Sequence, residues 1–446
     1  MKSQPKIHVG IIASNEIRFL LEEKFCSEIK EEFLPGEYEA TIENNQICLK
    51  NESGNKFCSN SFLLSPEKFN AYFELKNVTI GVDFHWEQQE NQQFRGALKL
   101  IQENGKVRAI NVIELEDYLK SVISSEMSAT SSSDLLKAHA VISRSWLLAQ
   151  IEKTKSIKTG GGLYQTSYET GTEINRWYDR EDHSNFDVCA DDHCQRYQGI
   201  TKIYSKKVLK AVEDTFGEVL IFDGKICDAR FSKCCGGISE NFENVWEPVR
   251  HPYLTKVVDS ELGDTTCVDL RQEDEAELWI RNQPHAFCNT TDRQILSQVL
   301  PGFDQLTTDF YRWKVEYTQT EISELIKNRS GFDFGEIVKL EPVKRGHSSR
   351  IIKLKITGTK KTLTVGKELE IRKWLSKSHL YSSAFVVNHL EMVNGIPQKI
   401  VLAGAGWGHG VGLCQIGAAV MGEKGYSYKA ILNHYFRGSE LTKLYQ

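Results

Sequence analysis

From Ile7 to about Val112 the chain alternates apolar and polar positions in short runs, YEATIE, QICLK, NVTIGVDF, FRGALKLI and KVRAINVI, with Gly54, Gly81 and Gly105 as punctuation. A period of two over short stretches bounded by turn residues is the signature of half-buried strands, so the pattern predicts a β-rich N-terminal region. The period changes at Leu115. Leu115, Tyr118, Leu119, Val122 and Ile123 recur at helical spacing and lead to Glu126. A serine-rich turn (128–133) then precedes a second helix, expected from Asp134 as N-cap to about Lys153. Its apolar residues Leu135, Leu136, Ala138, Ala140, Ile142, Trp146, Leu147 and Ala149 span a broad face, which places it in the core. Residues 158–171, rich in Gly, Thr and Ser, read as a loop, and 211–237 reads as strand-like. A long mixed region from Asp259 to Val387 contains a predicted strand pair, FGEIVKLEPVKRGHSSRIIKLKITG, and a predicted helix, KELEIRKWLS. A glycine-rich segment, Gly404–Gly417, precedes a last helix, Tyr428–Tyr435.

Composition narrows the class more than the function. At roughly 100–200 residues per domain, 446 residues allow two or three domains or one elaborated domain. A hydrophobic fraction of 40% and a charged fraction of 26% are those of an ordinary folded globular protein. The formal net charge is −5, with lysines and arginines scattered and no basic stripe, which argues against nucleic acid as a partner. No apolar run approaches the roughly 20 residues that span a bilayer, and Met1–Leu21 lacks a secretory apolar core. Eleven cysteines are too few for a disulfide scaffold in a chain this long, and the odd count leaves at least one unpaired. Most read as buried thiols.

Three groups of residues carry candidate chemistry. Glu126 ends a packed helix beside Met127, where an apolar setting disfavours the charged carboxylate and suits a proton donor. In DHSNFDVCADDHCQRYQG, His183, Cys189, His193 and Cys194 fall within twelve positions and supply the N and S ligands that tetrahedral zinc prefers. His193 is the weaker ligand, since neighbouring side chains diverge. Four protein ligands would make the site structural and three would leave a position for water, and the sequence leaves both open. In Gly404–Gly412 alternate glycines permit positive φ and close backbone approach, leaving Trp407 and His409 as the sizeable side chains beside Gly408 and Gly410. Trp407 offers a face on which a pyranose could stack, and His409 a hydrogen-bonding ring.

The stretch VIELEDYLKSVISSEMSATSSSDLLKAHAVISRSWLLAQ closely resembles the signature of the SpoIID/LytB family, the sporulation-protein-D and amidase-enhancer proteins. GEVLIFDGKICDARFSKCCGGISENFENVW resembles that family's middle segment, and GAGWGHGVGLCQIGAAVMGEKGYSYKAILNHYFRGSEL its glycine-rich C-terminal motif. The likeness runs in family order from about Phe94 to Leu441. It implies an α+β fold with a β-rich part (1–93) and a catalytic domain (94–446). That domain would carry the central helix pair with Glu126, an inserted lobe at about 259–387, and the glycine-rich segment closing a groove.

The resemblance also implies an activity: lytic transglycosylase cleavage of the MurNAc–GlcNAc bond of peptidoglycan, favoured on strands stripped of stem peptides. The muramyl 6-hydroxyl would attack its own anomeric carbon to give a 1,6-anhydro end. With that intramolecular nucleophile one carboxyl, Glu126, can serve as base and then acid. Tyr118, Arg144, Ser232, Gly236, Gly237, Trp407, Gly408, His409, Gly410 and Gln415 are the expected groove or support residues, with Arg144 also read as a structural partner of Glu126 or a nearby carboxylate. His183, Cys189 and Cys194, with His193, match a zinc-binding insertion of some members. Cys234 and Cys235 stand where the family has mostly serines; a Cys235–His409 nucleophile pair is conceivable, but such cysteines are most often small buried apolar residues. Two rivals stand beside the enzyme: a non-enzymatic glycan binder that stimulates a cell-wall amidase, and a cytoplasmic enzyme acting on recycled wall fragments. The activity implies a place in the cell envelope, whereas the given start carries no export signal, which leaves the cytoplasm open.

Overall fold

The computed structural model describes residues 3–27, 32–81, 87–128, 130–158, 165–177, 183–191, 194–203, 205–261, 268–299 and 307–446. The fold is α+β, as the pattern predicts, and strand-rich. The chain divides into two compact units drawn from non-consecutive segments. One comprises 1–129, 182–218 and 443–446, and the other 130–181 and 219–442.

The first unit is built on two six-stranded sheets. One runs, in spatial order, Val188–Cys189, Lys6–Ser14, Lys106–Glu114, Ala97–Glu103, Ser61–Pro66 and Phe25–Cys26. The other runs Lys56–Ser59, Gln46–Asn51, Gly36–Glu43, Glu16–Leu21, Tyr72–Ile80 and Gln88–Arg95. Alternation buries one face of most of these strands. In Ala97–Glu103, for instance, Leu98 and Leu100 are fully buried. Phe25 of the first sheet meets Phe73 of the second edge-on at 6.5 Å, so the inner faces share one core. A disulfide joins Cys48 and Cys58, opposite each other on neighbouring strands.

Helix α1 (Leu115–Glu126) follows directly from the strand Lys106–Glu114. Leu115, Tyr118, Leu119, Val122 and Ile123 form its buried stripe, and Glu116 and Asp117 in the first turn complement the helix dipole. Met127 adopts extended backbone and ends it. Helix α3 (Lys206–Asp214) packs against α1. The strand-like reading of 211–237 is corrected at its start. Val208, Ala211 and Val212 form a helical buried stripe, and the strand begins only at Glu218.

In the second unit α2 (Ser133–Lys158) is buried on nearly all sides from Leu135 to Leu147 and packs against α8 (Gln415–Glu423) and α9 (Tyr428–Tyr435). Its start differs from the expected cap. Ser132 Oγ accepts the Leu135 N–H at 3.2 Å, while the Asp134 carboxylate is taken by the Tyr428 N–H at 2.7 Å. The predicted strand pair forms as Ile337–Arg345 and Ile351–Gly358 in a five-stranded sheet. The KELEIRKWLS helix forms as α7 (Glu368–Trp374), after α4 (Glu273–Arg281), α5 (Arg293–Val299) and α6 (Gln319–Ser330). A continuous core of Ile322, Leu354, Ile356, Ile371, Trp374 and Leu402 joins that sheet to the three-stranded sheet of Arg312–Thr318, Ile396–Ala405 and Phe385–Val393. Among the described residues no helix is long and apolar enough to cross a membrane.

Ile356 lies fully buried in this core. Ile356→Ala should lower the unfolding free energy by about 2–5 kcal/mol and Ile356→Val by about 0.5–1.5 kcal/mol, measured by urea denaturation. Equal losses from both would contradict a close-packed core here.

Candidate functional site

In the first unit the sequence brings three of the four expected metal ligands together. His183 Nε2 lies 3.6 Å from Cys194 Sγ, and the ligand atoms of His183, Cys189 and Cys194 all fall within 4.8 Å of one another. These three residues could hold a metal ion. His193 lies outside the described residues.

The segment carrying them is fastened to a sheet edge. Val188 and Cys189 pair in parallel with Val9 and Gly10. Asp187 both donates its N–H to the His8 carbonyl at 2.9 Å and accepts the His8 N–H on Oδ2 at 2.8 Å, and the Ala190 N–H reaches the Gly10 carbonyl at 3.0 Å. Phe186 stacks on His183 at 4.4 Å between ring centroids. A Cβ on Gly10 would stand 2.6 Å from the Phe186 ring, so the strand needs glycine there.

The same segment then turns to α1. The Arg196 N–H donates to Glu126 Oε1 at 3.2 Å, two residues beyond Cys194. Gln195 Oε1 accepts from the Tyr118 hydroxyl at 3.4 Å, and the Gln198 N–H donates to Ser121 Oγ at 3.2 Å. Tyr197 stacks on Tyr118 at 5.0 Å and continues through Phe94, at 5.9 Å, to Phe73, at 5.4 Å. Tyr118 is therefore fully buried, and burial pushes its hydroxyl pKa well up. Glu126 itself is partly exposed at the end of α1. Gly10, Val78, Arg108, Cys189, Asp191 and Arg196, the residue whose N–H meets Glu126, line a cleft.

The second unit gathers most of the other expected residues around the glycine-rich segment. Trp407 exchanges both backbone hydrogen bonds with Cys234, at 2.9 and 2.8 Å. Ser232 pairs with Cys414 in a short parallel ladder. Three glycines are enforced by neighbours as well as by positive φ: a Cβ on Gly236 would meet the Gly406 nitrogen at 2.9 Å, one on Gly237 would meet Trp279 at 2.8 Å, and one on Gly410 would meet the Arg350 guanidinium at 2.3 Å. Arg350 is fully buried and donates to the carbonyls of Cys235 and Gly408, at 3.2 and 3.1 Å. The Trp407 ring is flanked by Phe310 at 4.6 Å and Tyr381 at 4.4 Å, with Lys233 Nζ 5.4 Å from its centroid.

His409 Nδ1 accepts the Val411 N–H at 3.0 Å, and its ring meets Trp246 edge-on at 4.9 Å. Burial, with the charges of Arg230, Arg372 and Arg350, holds its pKa well below the ordinary histidine value. It is a neutral imidazole. Gln415 is buried, and its amide meets His139 Nε2 at 3.4 Å, while His139 Nδ1 lies 3.3 Å from Ser143 Oγ. Arg144 is fully buried in α2.

Sequence reading passed over Arg196, Gln195, Tyr197, Arg350 and Trp246. Of these only Tyr197, as an aromatic three residues past the Cys194 ligand, carries a signal that could have been noticed. The others act through backbone atoms or through partners far along the chain.

Residues 103–222 match the family described as stage II sporulation protein, and residues 240–412 match a domain family of unknown function. An uncharacterized protein of Brachyspira hyodysenteriae is 25% identical over 350 residues, which is 78% of this chain and 72% of that protein. The amidase enhancer of Bacillus subtilis is 25% identical over 337 residues, 73% of this chain and 40% of the enhancer. Stage II sporulation protein D of Bacillus amyloliquefaciens is 24% identical over 342 residues, 75% of this chain and 76% of that protein. The family match and these relatives support assignment to the SpoIID/LytB family. Within the family match fall Tyr118, Glu126, Arg144, His183, Cys189 and Cys194. Trp407, Gly408, His409 and Gly410 fall in the second matched region, and Ser232, Gly236, Gly237 and Gln415 in neither. The match and the relatives' names support a cell-wall-related role.

Burial lowers the His139 pKa to about 3. The unfolded chain therefore takes up a proton near pH 6.5 that the folded chain refuses. The corresponding stability is complete above pH 6.5 and lost as pH falls towards 3, at up to about 1.4 kcal/mol per pH unit. His139→Gln should give a shallower decline in urea stability over that window than the parent protein. Parallel declines would show that the ring is accessible to protons.

Proposed function

We propose that this SpoIID/LytB protein is a lytic transglycosylase that cleaves MurNAc–GlcNAc bonds of peptidoglycan strands, favouring strands without stem peptides, with Glu126 as its acid–base residue. The observation that carries the reading is the tie between the Glu126 carboxylate and the Arg196 N–H, on the segment whose His183, Cys189 and Cys194 converge. That bond fixes one carboxylate oxygen of Glu126, which is partly exposed at the helix end. In the reaction Glu126 takes the proton of the muramyl 6-hydroxyl as that oxygen attacks the anomeric carbon. The glycosidic C–O bond breaks, and the proton passes to the departing oxygen. No water is consumed.

The 3.6 Å between His183 Nε2 and Cys194 Sγ fits zinc, for which bond lengths of about 2.0 and 2.3 Å in a tetrahedron give an edge of about 3.5 Å. His183, Cys189 and Cys194 would hold the ion, with His193 or water completing it. When bound it supplies a cross-link that orders the Gln195–Arg196 turn. In the second unit Trp407, braced by Phe310 and Tyr381, is proposed as a stacking surface for a sugar ring, with His409 as a neutral hydrogen-bonding partner. The Cys48–Cys58 disulfide accords with an oxidising envelope compartment, and the amidase-enhancer relative suggests a cell-wall amidase as partner.

Mass spectrometry of amidase-stripped strands should find 1,6-anhydro-muramyl ends with the parent protein, and Glu126→Gln should lower their rate of appearance by about 10²–10⁴. Intact strands with both proteins, together with undiminished stimulation of an amidase by Glu126→Gln, would favour the non-enzymatic enhancer instead. Trp407→Ala should raise the half-saturating strand concentration about tenfold, the equivalent of roughly 1.4 kcal/mol, with turnover at saturation little changed. An unaltered half-saturation would remove Trp407 from the glycan contacts.

A further inference from the structure

Four distant segments of the second unit deliver metal-ligating side chains to one buried point. Cys235 comes from the turn after Phe231–Ser232, Asp259 from a loop, Cys288 from the turn before α5, and Cys414 from the N-cap position of α8. Their ligand atoms all lie within 4.8 Å of one another, and all four residues are buried. Cys235 and Cys288 stand 3.6 Å apart, sulfur to sulfur. A disulfide needs about 2.05 Å, whereas two thiolates at about 2.3 Å from a tetrahedral zinc lie about 3.8 Å apart.

Packing alone does not account for this group. Small thiols are ordinary core fillers, but a carboxylate among them is not, because burying a charge is costly unless it is paired or bound to a metal. Around Asp259 the described residues supply orientation, and the one recorded ion-pair partner, His434, is charged only when protonated. Oδ2 accepts the Cys288 N–H at 2.9 Å and Oδ1 the Tyr435 hydroxyl at 2.6 Å, while His434 Nε2 stands 3.9 Å away. Cys414 Sγ accepts the Cys235 N–H at 3.2 Å. Oriented ligands with N–H and O–H donors behind them are the outer shell of a metal site. A Cβ on Gly417 would come within 2.4 Å of the Tyr435 hydroxyl and 2.6 Å of Asp259 Oδ1, so the first turn of α8 leaves space for that shell.

We propose that Cys235, Asp259, Cys288 and Cys414 form a second metal centre, a closed structural site for a thiolate-preferring divalent cation, zinc foremost. Four protein ligands leave no position for water, so the ion cross-links rather than catalyses. Three thiol protons pass to solvent on binding. The formal charge equals that of a four-cysteine zinc site, and the guanidinium groups of Arg350 and Arg312, on the Cys235 and Gly236 carbonyls at 3.2 Å each, offset part of it. The ion joins the Cys234–Gly237 turn to the start of α8. Since Cys234 holds both backbone bonds of Trp407, it also fixes the proposed stacking surface.

Metal counting by native mass spectrometry on the full-length protein tests this, using the parent, Cys194→Ser, Cys288→Ser and the double variant. Two zinc ions are expected in the parent, one in each single variant and none in the double. Cys194→Ser changes only the first unit, and its metal content is read independently of whether Cys288→Ser folds. Exchanged with cobalt, Cys194→Ser should keep an intense thiolate-to-cobalt charge-transfer band. Cys194→Ser without metal while still unfolding cooperatively would overturn the proposal, as would an alkylated, unreduced mass showing Cys235 and Cys288 joined. One ion in the parent, kept in Cys194→Ser and lost in Cys288→Ser, would support this centre while removing zinc from the His183 segment. The 1,6-anhydro assay reads the enzymatic proposal separately.

Discussion

The hydrogen bond from the Arg196 N–H to Glu126 is the constraint on which the first unit's site depends, because a carboxylate at a helix end has no position of its own. Helix α1 fixes where the Glu126 backbone lies, and the Arg196 N–H bond adds a restraint on its carboxylate. The bond comes from a segment that cannot drift. It is laddered to Val9 and Gly10 on one side and stacked through Tyr197 on Tyr118 on the other. Strand edge, the His183, Cys189 and Cys194 cluster and helix end thus form one mechanical chain within a single unit, and a change at Gly10 or Phe186 would reach Glu126 without touching it.

The second unit solves a different problem, that of holding a glycine-rich turn in one conformation. Glycine lowers the steric cost of positive φ but raises the entropy lost on ordering, so the turn needs outside fastening. Arg350 provides it from below by gripping the Cys235 and Gly408 carbonyls, and Gly410 is glycine because that guanidinium occupies the space of a side chain. The Cys234–Trp407 pair fastens it from the side. Fully buried Glu240, accepting from the N–H groups of His347 and Ser348, fixes the loop from which Arg350 emerges.

The sequence by itself determined the class of fold, the main elements and the family. Alternation from Ile7 to Val112, the helical stripe leading to Glu126, the strand pair around Arg345–Arg350 and the helix Tyr428–Tyr435 are local properties, set by which face of each element must leave water. The start of α2 and the helix Lys206–Asp214 were misread because a cap and a three-residue buried stripe are decided by what packs against them. The convergence of His183, Cys189 and Cys194 was legible because the three residues are close in sequence. That of Cys235, Asp259, Cys288 and Cys414 was not, since nothing local distinguishes a buried thiol from a ligand until chain segments up to 179 residues apart are brought together. Only the tertiary structure decided that Arg196 would hold Glu126 through a backbone N–H, a donor that every residue but proline possesses and that no side-chain pattern announces.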